Sequence, residues 1–306
     1  MIGHITDPKA EAGLDLRELP EPSPSPSDVI VDVRAYAVNR GELNLLQQRA
    51  NGWPPGQDVA GVVARGAADG TGPQAGTRVV GAADQGGWSQ RAVVPSCRIA
   101  PIPDNVSFGD AAALPVAGLT ALRALRVGGS LIGRRVLVTG ASGGVGSFAV
   151  QLAAVAGADV TAHVSGPHRV DAVRALGVDR VVTTLEGITE RFDLILDGVG
   201  GQALVDAVQH LAPGGTIAAY GMASGEKSPL AFTDFRGATN GKLVAFFVYT
   251  TDLQTFGEDL GFMAGLIGAG RLRVPGPRRD WKETRQAIDL LRQHKATGKV
   301  VLTIGG

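Results

Sequence analysis

The stretch Val136-Leu137-Val138-Thr139-Gly140-Ala141-Ser142-Gly143-Gly144-Val145-Gly146 constrains this chain more than any other. A β-prone run enters a glycine-rich turn, and the residues after it carry Phe148, Leu152 and Val155 on one helical face. A strand that empties through glycines into a helix N-terminus suits a dinucleotide pyrophosphate. Missing side chains let backbone N–H groups approach the phosphates, and the helix dipole favours their charge. The competing reading is a tight turn that merely packs helix on strand. Context favours the first reading, because the turn opens a long alternation of strands and helices.

Strands are expected at residues 135–139, 159–164, 180–183, 193–196, 216–220 and 243–248, with helices at 147–156, 169–176 and 202–211. This alternation calls for a parallel sheet covered by helices on both faces. Ahead of it, residues 28–102 hold short β-like runs separated by turn residues, the pattern of a compact, twisted barrel or sandwich. Residues 110–126 read as helical, interrupted near Pro115 and Gly118. The tail reverts to another pattern. Phe256, Leu260, Met263 and Ile267 mark one helix face, Trp281, Thr284, Ile288 and Leu291 another, and residues 299–304 form a closing strand. A final strand without a βαβ partner is expected to return to the first region and make that domain discontinuous.

Composition acts by exclusion. Twenty-nine Lys and Arg balance 29 Asp and Glu, and aromatics make up 5%, so no nucleic-acid partner is indicated. The single cysteine, Cys97, excludes an intrachain disulfide framework and a Cys-based zinc cluster. His4, His163, His168, His210 and His294 show no two-ligand helical spacing. The first residues lack a basic region and apolar run, and residues 111–122, the longest weakly polar stretch, contain Pro115 and are too short to span a bilayer. A cytoplasmic protein without a membrane partner is expected.

The second strand of the alternation identifies the dinucleotide. An NAD site places a carboxylate at that strand's end, about 20 residues beyond the glycines, to hold the ribose 2′-OH. Here the strand runs into Ala162-His163-Val164-Ser165-Gly166-Pro167-His168-Arg169, and Asp159 stands at its other end. Ser165, His168 and Arg169 offer donors for a 2′-phosphate. Arg169 also reads as a solvated helix-start residue, but the missing carboxylate favours NADPH.

Two families share such glycine strings. Short-chain dehydrogenases need a Tyr-x-x-x-Lys pair, and Tyr36, Tyr220 and Tyr249 are followed four residues on by Arg40, Ser224 and Leu253. That reading fails. End to end, the chain resembles the zinc-independent medium-chain dehydrogenase/reductases, in their quinone oxidoreductase branch. The resemblance rests on the order of Ala37-Val38-Asn39-Arg40-Gly41-Glu42, Pro55-Gly56-Gln57-Asp58-Val59-Ala60-Gly61, Gly76-Thr77-Arg78-Val79-Val80 and Ala111-Ala112-Ala113-Leu114-Pro115-Val116-Ala117-Gly118-Leu119-Thr120. It continues through the glycine turn, Asp197-Gly198-Val199-Gly200-Gly201, Pro213-Gly214-Gly215 and Gly298-Lys299-Val300-Val301-Leu302.

The resemblance implies an α/β protein. A GroES-like, β-rich catalytic domain (residues 1–116 and 252–306) would carry an inserted, doubly wound Rossmann domain (residues 117–251), with a cleft between them. It places Asn39 and Thr120 near the nicotinamide, and Ser142, Gly143, Gly144 and Val145 at the pyrophosphate. Ser165 and Arg169 fall at the 2′-phosphate, and Gly221 and Phe247 along the cofactor, Phe247 from the last strand. Where relatives often stack a tyrosine near the adenosine, this chain has Thr184. Zinc-dependent relatives carry Gly-His-Glu where this chain has Gly56-Gln57-Asp58, so no metal is expected. The implied activity is NADPH-dependent hydride transfer to a quinone or activated carbonyl. The alternatives are reduction of the C=C bond of enones or enoyl thioesters, and a non-catalytic NADPH-binding sensor or structural protein. Asn39 and Tyr249 are the pocket candidates for catalysis, and Glu42 reads as a helix first-turn charge in preference to a pocket acid. The apolar run Leu243-Val244-Ala245-Phe246-Phe247-Val248 would make a hazardous free edge, which points to a homodimer paired through it.

Overall fold

The computed structural model describes residues 1–305. Its contacts divide the chain into two compact units, one running Met1–Leu119 and again from Asp252 onward, the other Thr120–Thr251.

The first unit opens with strands β1 (Ile2–Thr6) and β2 (Leu14–Glu18), paired antiparallel. Neither was expected. In β1 the residues from Gly3 to Thr6 are all buried, the polar His4 and Thr6 among them, so no alternation of hydropathy marks the strand. Then come β3 (Asp28–Val38), α1 (Arg40–Gln48), β4 (Asp58–Arg65), β5 (Arg78–Ala82), β6 (Arg91–Pro95) and β7 (Ile99–Pro101). Strand β3 organises them. Its first half pairs with β6 and nearly its whole length with β4, and register shifts after Ile30 and Val33 bend it. Val29, Val31, Val33, Tyr36 and Val38 project into one core with Val59, Val79, Trp88 and Val94.

Residues 108–126 are helical in three pieces, one more than the interruptions near Pro115 and Gly118 suggested. They are α2 (Phe108–Ala112), a wide π-type turn Leu114–Gly118 with Pro115 at its start, and α3 (Leu119–Arg126). The boundary between the units falls inside α3.

The second unit alternates β8 (Arg135–Thr139), α4 (Gly144–Val155), β9 (Asp159–His163), α5 (Val170–Arg174), β10 (Arg180–Val182), β11 (Phe192–Asp197), α6 (Gly201–Gln209), β12 (Leu211–Ala219) and β13 (Lys242–Ala245). The six strands form one parallel sheet in the order β10-β9-β8-β11-β12-β13. This is the expected doubly wound class. The order reverses between β8 and β11, where sheets of this kind open a crevice at the carboxyl ends of the strands. The last strand is shorter than expected. Phe246 and Val248 are buried beyond its end, where the Phe246 N–H still donates to the Ala219 carbonyl of β12 at 2.8 Å but the regular ladder has stopped.

The tail adds α7 (Phe256–Gly268), β14 (Arg278–Asp280), α8 (Thr284–Arg292) and β15 (Val300–Thr303). Strand β15 runs antiparallel to the second half of β3, and β14 lies parallel beside β15. The tail thereby completes the first unit's sheet. Among the described residues, no helix is long and apolar enough to cross a membrane.

Candidate functional site

The glycine turn joins β8 to α4 at the point where the strand order reverses. Gly140 sits at φ +61°, a left-handed conformation that side chains disfavour, and its carbonyl accepts the Gly143 N–H at 2.9 Å. Gly146 is needed for a different reason. A Cβ there would stand 2.3 Å from the Gly140 oxygen and 2.7 Å from Ala141 Cα, so only a bare backbone lets α4 pack on the turn. The first N–H groups of α4, like those of any helix, lack a partner within it, and the Gly143 cap has no side chain to supply one. Gly143, Gly144 and Val145 are partly exposed while Gly146 and Ser147 are buried. The turn is thus open where a pyrophosphate would lie and closed where the helix packs. It fits a dinucleotide.

Arg169 comes from the short turn after β9, and its Nη1 donates to Ser142 Oγ at 3.2 Å. This contact ties the base of α5 to the glycine turn. Ser142 is buried, and Ser165 is exposed beside the same turn. Strand β9 ends at His163, Val164 and Ser165 follow it without a carboxylate, and the exposed Asp159 begins it. Burial holds the His163 imidazole below its ordinary pKa, with backbone and acidic neighbours opposing. Thr184 is exposed, its hydroxyl accepting the Glu186 N–H.

Sequence reasoning assigned no role to Asp197. This carboxylate closes β11 with no exposure, accepting from Thr139 Oγ1 at 2.5 Å and the Gly200 N–H at 2.9 Å. Burial raises its pKa and those hydrogen bonds lower it. It joins the ends of β8 and β11 beneath the glycine turn. The acid-before-glycines motif could have flagged it. The Tyr220 ring packs against Gly198, where a Cβ would meet it at 2.6 Å, and Gly221 is held close to the Gly198 carbonyl. Phe247 is 63% exposed and lies two residues past the last strand, not on it as expected. Tyr249, on the single turn Val248–Thr250, is 40% exposed, and Thr120 is buried near the start of α3.

Asn39 belongs to the first unit and is 8% exposed. It precedes α1, and its backbone N–H donates to Glu42 Oε2 at 2.7 Å, half of a capping box. Its Nδ2 donates to Asp58 Oδ2 at 2.9 Å and to Glu42 Oε2 at 3.3 Å, while its Oδ1 accepts from Lys299 Nζ. Both amide hydrogens are spent. Asn39 therefore has no N–H left for a developing oxyanion, and an Oδ1 lone pair is what it can still offer. Lys299 Nζ also donates to Asp58 Oδ2 at 2.8 Å and to the Val38 carbonyl. Asp58 Oδ1 accepts the Val116 N–H at 2.8 Å, and Glu42 Oε1 the Gln57 N–H at 2.9 Å. Glu42 stands in the first turn of α1 as expected, and it is wholly buried there. The sequence hint was faint: Asp58 and Lys299 each stand immediately before a β-prone apolar run.

Comparisons with known proteins bear on both units. The family model of the alcohol dehydrogenase GroES-like domain matches residues 25–104, and that of the zinc-binding dehydrogenases residues 144–264. The chain is 36% identical over 293 residues to the spectinabilin polyketide synthase system protein NorB of Streptomyces orinoci, covering 92% of this chain and 13% of that protein. It is 37% identical over 202 residues to the trans-enoyl reductase tazE of Aspergillus terreus (57% and 65% covered). It is 35% identical over 221 residues to a chloroplast envelope quinone oxidoreductase homolog of Arabidopsis thaliana (66% and 65% covered). The chain thus spans less than two thirds of the length of each of these relatives. Among solved structures, mycobacterial Rv1454c complexed with NADPH superposes with a TM-score of 0.85 at 25% identity, over 99% of this chain and 100% of that one.

Proposed function

The chain belongs to the medium-chain dehydrogenase/reductase superfamily, in its quinone oxidoreductase-like branch, and from that premise we propose that it is an NADPH-dependent reductase of quinones or similarly activated carbonyl acceptors, working without a metal. One observation carries the reading: a glycine turn open to a pyrophosphate, with Arg169 held against it and no carboxylate at the end of β9.

When bound, NADPH supplies the hydride. Gly143, Gly144, Val145 and the N-terminus of α4 would hold the pyrophosphate. Arg169, kept across the turn by Ser142, would pair with the 2′-phosphate, with Ser165 beside it. Thr120, Gly221 and Phe247 would line the rest of the cofactor, and Asn39 would present Oδ1 to the nicotinamide end. The residues do not suit zinc. Gln57 is a poor ligand, the oxygens of Glu42 and Asp58 already accept N–H donors, and an ammonium lies beside them. A quinone suits such machinery because its reduced oxyanion is delocalised and water can protonate it.

A second reading, reduction of the C=C bond of an enone or enoyl thioester, is favoured by the identity to a trans-enoyl reductase. It needs the same hydride donor and an enolate stabiliser. The test is NADPH oxidation against a panel of quinones, enones and enoyl thioesters. Preference for quinones supports the first reading, and preference for enoyl substrates supports the second. NADPH binding without turnover of any would leave a binding protein. The same reading carries a cytoplasmic homodimer.

A further inference from the structure

Glu42, Asp58 and Lys299 meet inside the first unit with exposures of 0%, 0% and 3%. Two carboxylates face one ammonium, so the fully ionised cluster holds one negative charge in excess. Excess charge out of water is unfavourable, and a single proton removes it. The titratable groups that face Glu42 are Asp58 at the start of β4 and Lys299 just ahead of β15, with the Tyr36 hydroxyl of β3 within reach of its field. Asn39 lies at the centre, touching all three charged side chains.

We propose that Glu42, Asp58 and Lys299 form a proton-linked lock on Asn39, in which they act as positioning residues. Ionised, the lock draws both Nδ2 hydrogens onto carboxylates and seats Oδ1 on Lys299. Uptake of one proton neutralises the cluster and weakens its hold on the amide. The same bonds reach the end of β3, the Gln57 turn, Val116 and the approach to β15, so several segments feel the change. Burial, with Asp58 adding to it, pushes the Glu42 carboxyl up to about 8, against the pull of Lys299 and the N–H groups of Asn39 and Gln57. The folded chain then holds this proton more tightly than the unfolded one. Its contribution to stability is fully present below the ordinary glutamate value of about 4.5 and is lost as pH rises through about 8.

The lock deepens the proposed function only by acting on Asn39, and its test needs no turnover. Ligand-free protein is melted between about pH 5 and 9, and the Asn39 side-chain amide resonances are followed over the same range. Wild type should lose on the order of 2 °C in melting temperature between about pH 7 and 9, above the range where the depressed His4 and His163 act in the opposite direction. Its Asn39 resonances should shift with a midpoint near 8. Glu42→Gln should abolish the resonance shift and the fall in stability above about pH 7, leaving the opposite slope at lower pH that buried His4 and His163, both held below their ordinary pKa, impose. A wild-type slope in Glu42→Gln, or wild-type Asn39 resonances that do not titrate, would overturn the lock. If Glu42→Gln does not fold, Asp58→Asn balances the charge from the other side and should flatten the same curves. If neither folds, the wild-type resonances alone decide. Failure to reduce any acceptor would refute the proposed function and leave these measurements standing.

Discussion

The glycine turn of the second unit and the charge cluster of the first are both built from polar groups taken out of water, and they are built in opposite ways. The turn works by omission, since absent side chains leave backbone N–H groups facing outward and let a helix sit close. The cluster works by saturation, since each buried polar group is matched to a partner. The turn should therefore be intolerant of added atoms and indifferent to charge. The cluster should tolerate neutralising one carboxylate better than losing its cation.

Lys299→Met breaks the comparison most severely, because it leaves two buried carboxylates without a cation. A loss of about 3–5 kcal/mol is expected from denaturant melts. A loss under about 1 kcal/mol would mean that water reaches the cluster. Next comes Gly146→Ala, whose new Cβ meets backbone atoms that cannot swing aside. It should cost about 1–3 kcal/mol and abolish NADPH binding in a fluorescence titration. Gly265→Ala serves as its control. Nothing lies within 4 Å of a Cβ at this position in α7, so the change should stabilise by about 0.5–1 kcal/mol. If the two alanines behave alike, close packing is not what the turn requires.

Arg169→Ala sharpens the comparison at the one place where a side chain adds to the turn. A charge-assisted contact of about 1.5–3 kcal/mol corresponds to roughly ten- to a hundredfold in affinity. Wild type should bind NADPH at least about ten times more tightly than NADH, and the variant should lose most of that difference while NADH binding stays unchanged. Equal losses for both cofactors would remove Arg169 from the 2′-phosphate. The smallest effect on the fold is expected from Leu243→Asp. Leu243 is 42% exposed on β13, an edge of the parallel sheet, so stability should move by no more than about 0.5 kcal/mol. Scattering should nonetheless show a wild-type dimer become a monomer. A monomeric wild type would end the edge-pairing idea.

The alternation of the second unit was legible because each piece is specified locally. Hydropathy with a period of 3.6 or 2 marks Phe148 and Leu152, or the run Val136 to Val138, within a few residues. The missing carboxylate beyond β9 was legible for the same reason. Strand β1 was not, because its buried residues include His4 and Thr6. The end of the last strand was not, because Phe246 and Val248 stay apolar and buried past the point where the ladder stops.

What the sequence by itself determined is the glycine turn, the parallel fold around it and the lack of an acid where a ribose would need one. These depend on backbone conformation and short spacing, which neighbouring residues dictate. Only the tertiary structure decided what becomes of the charges. Glu42 reads the same in a chain whether it meets water or Asp58, and Lys299 lies 260 residues from the amide it holds. A charged side chain's pKa, partners and function follow from its solvation, and solvation is a property of the packed molecule.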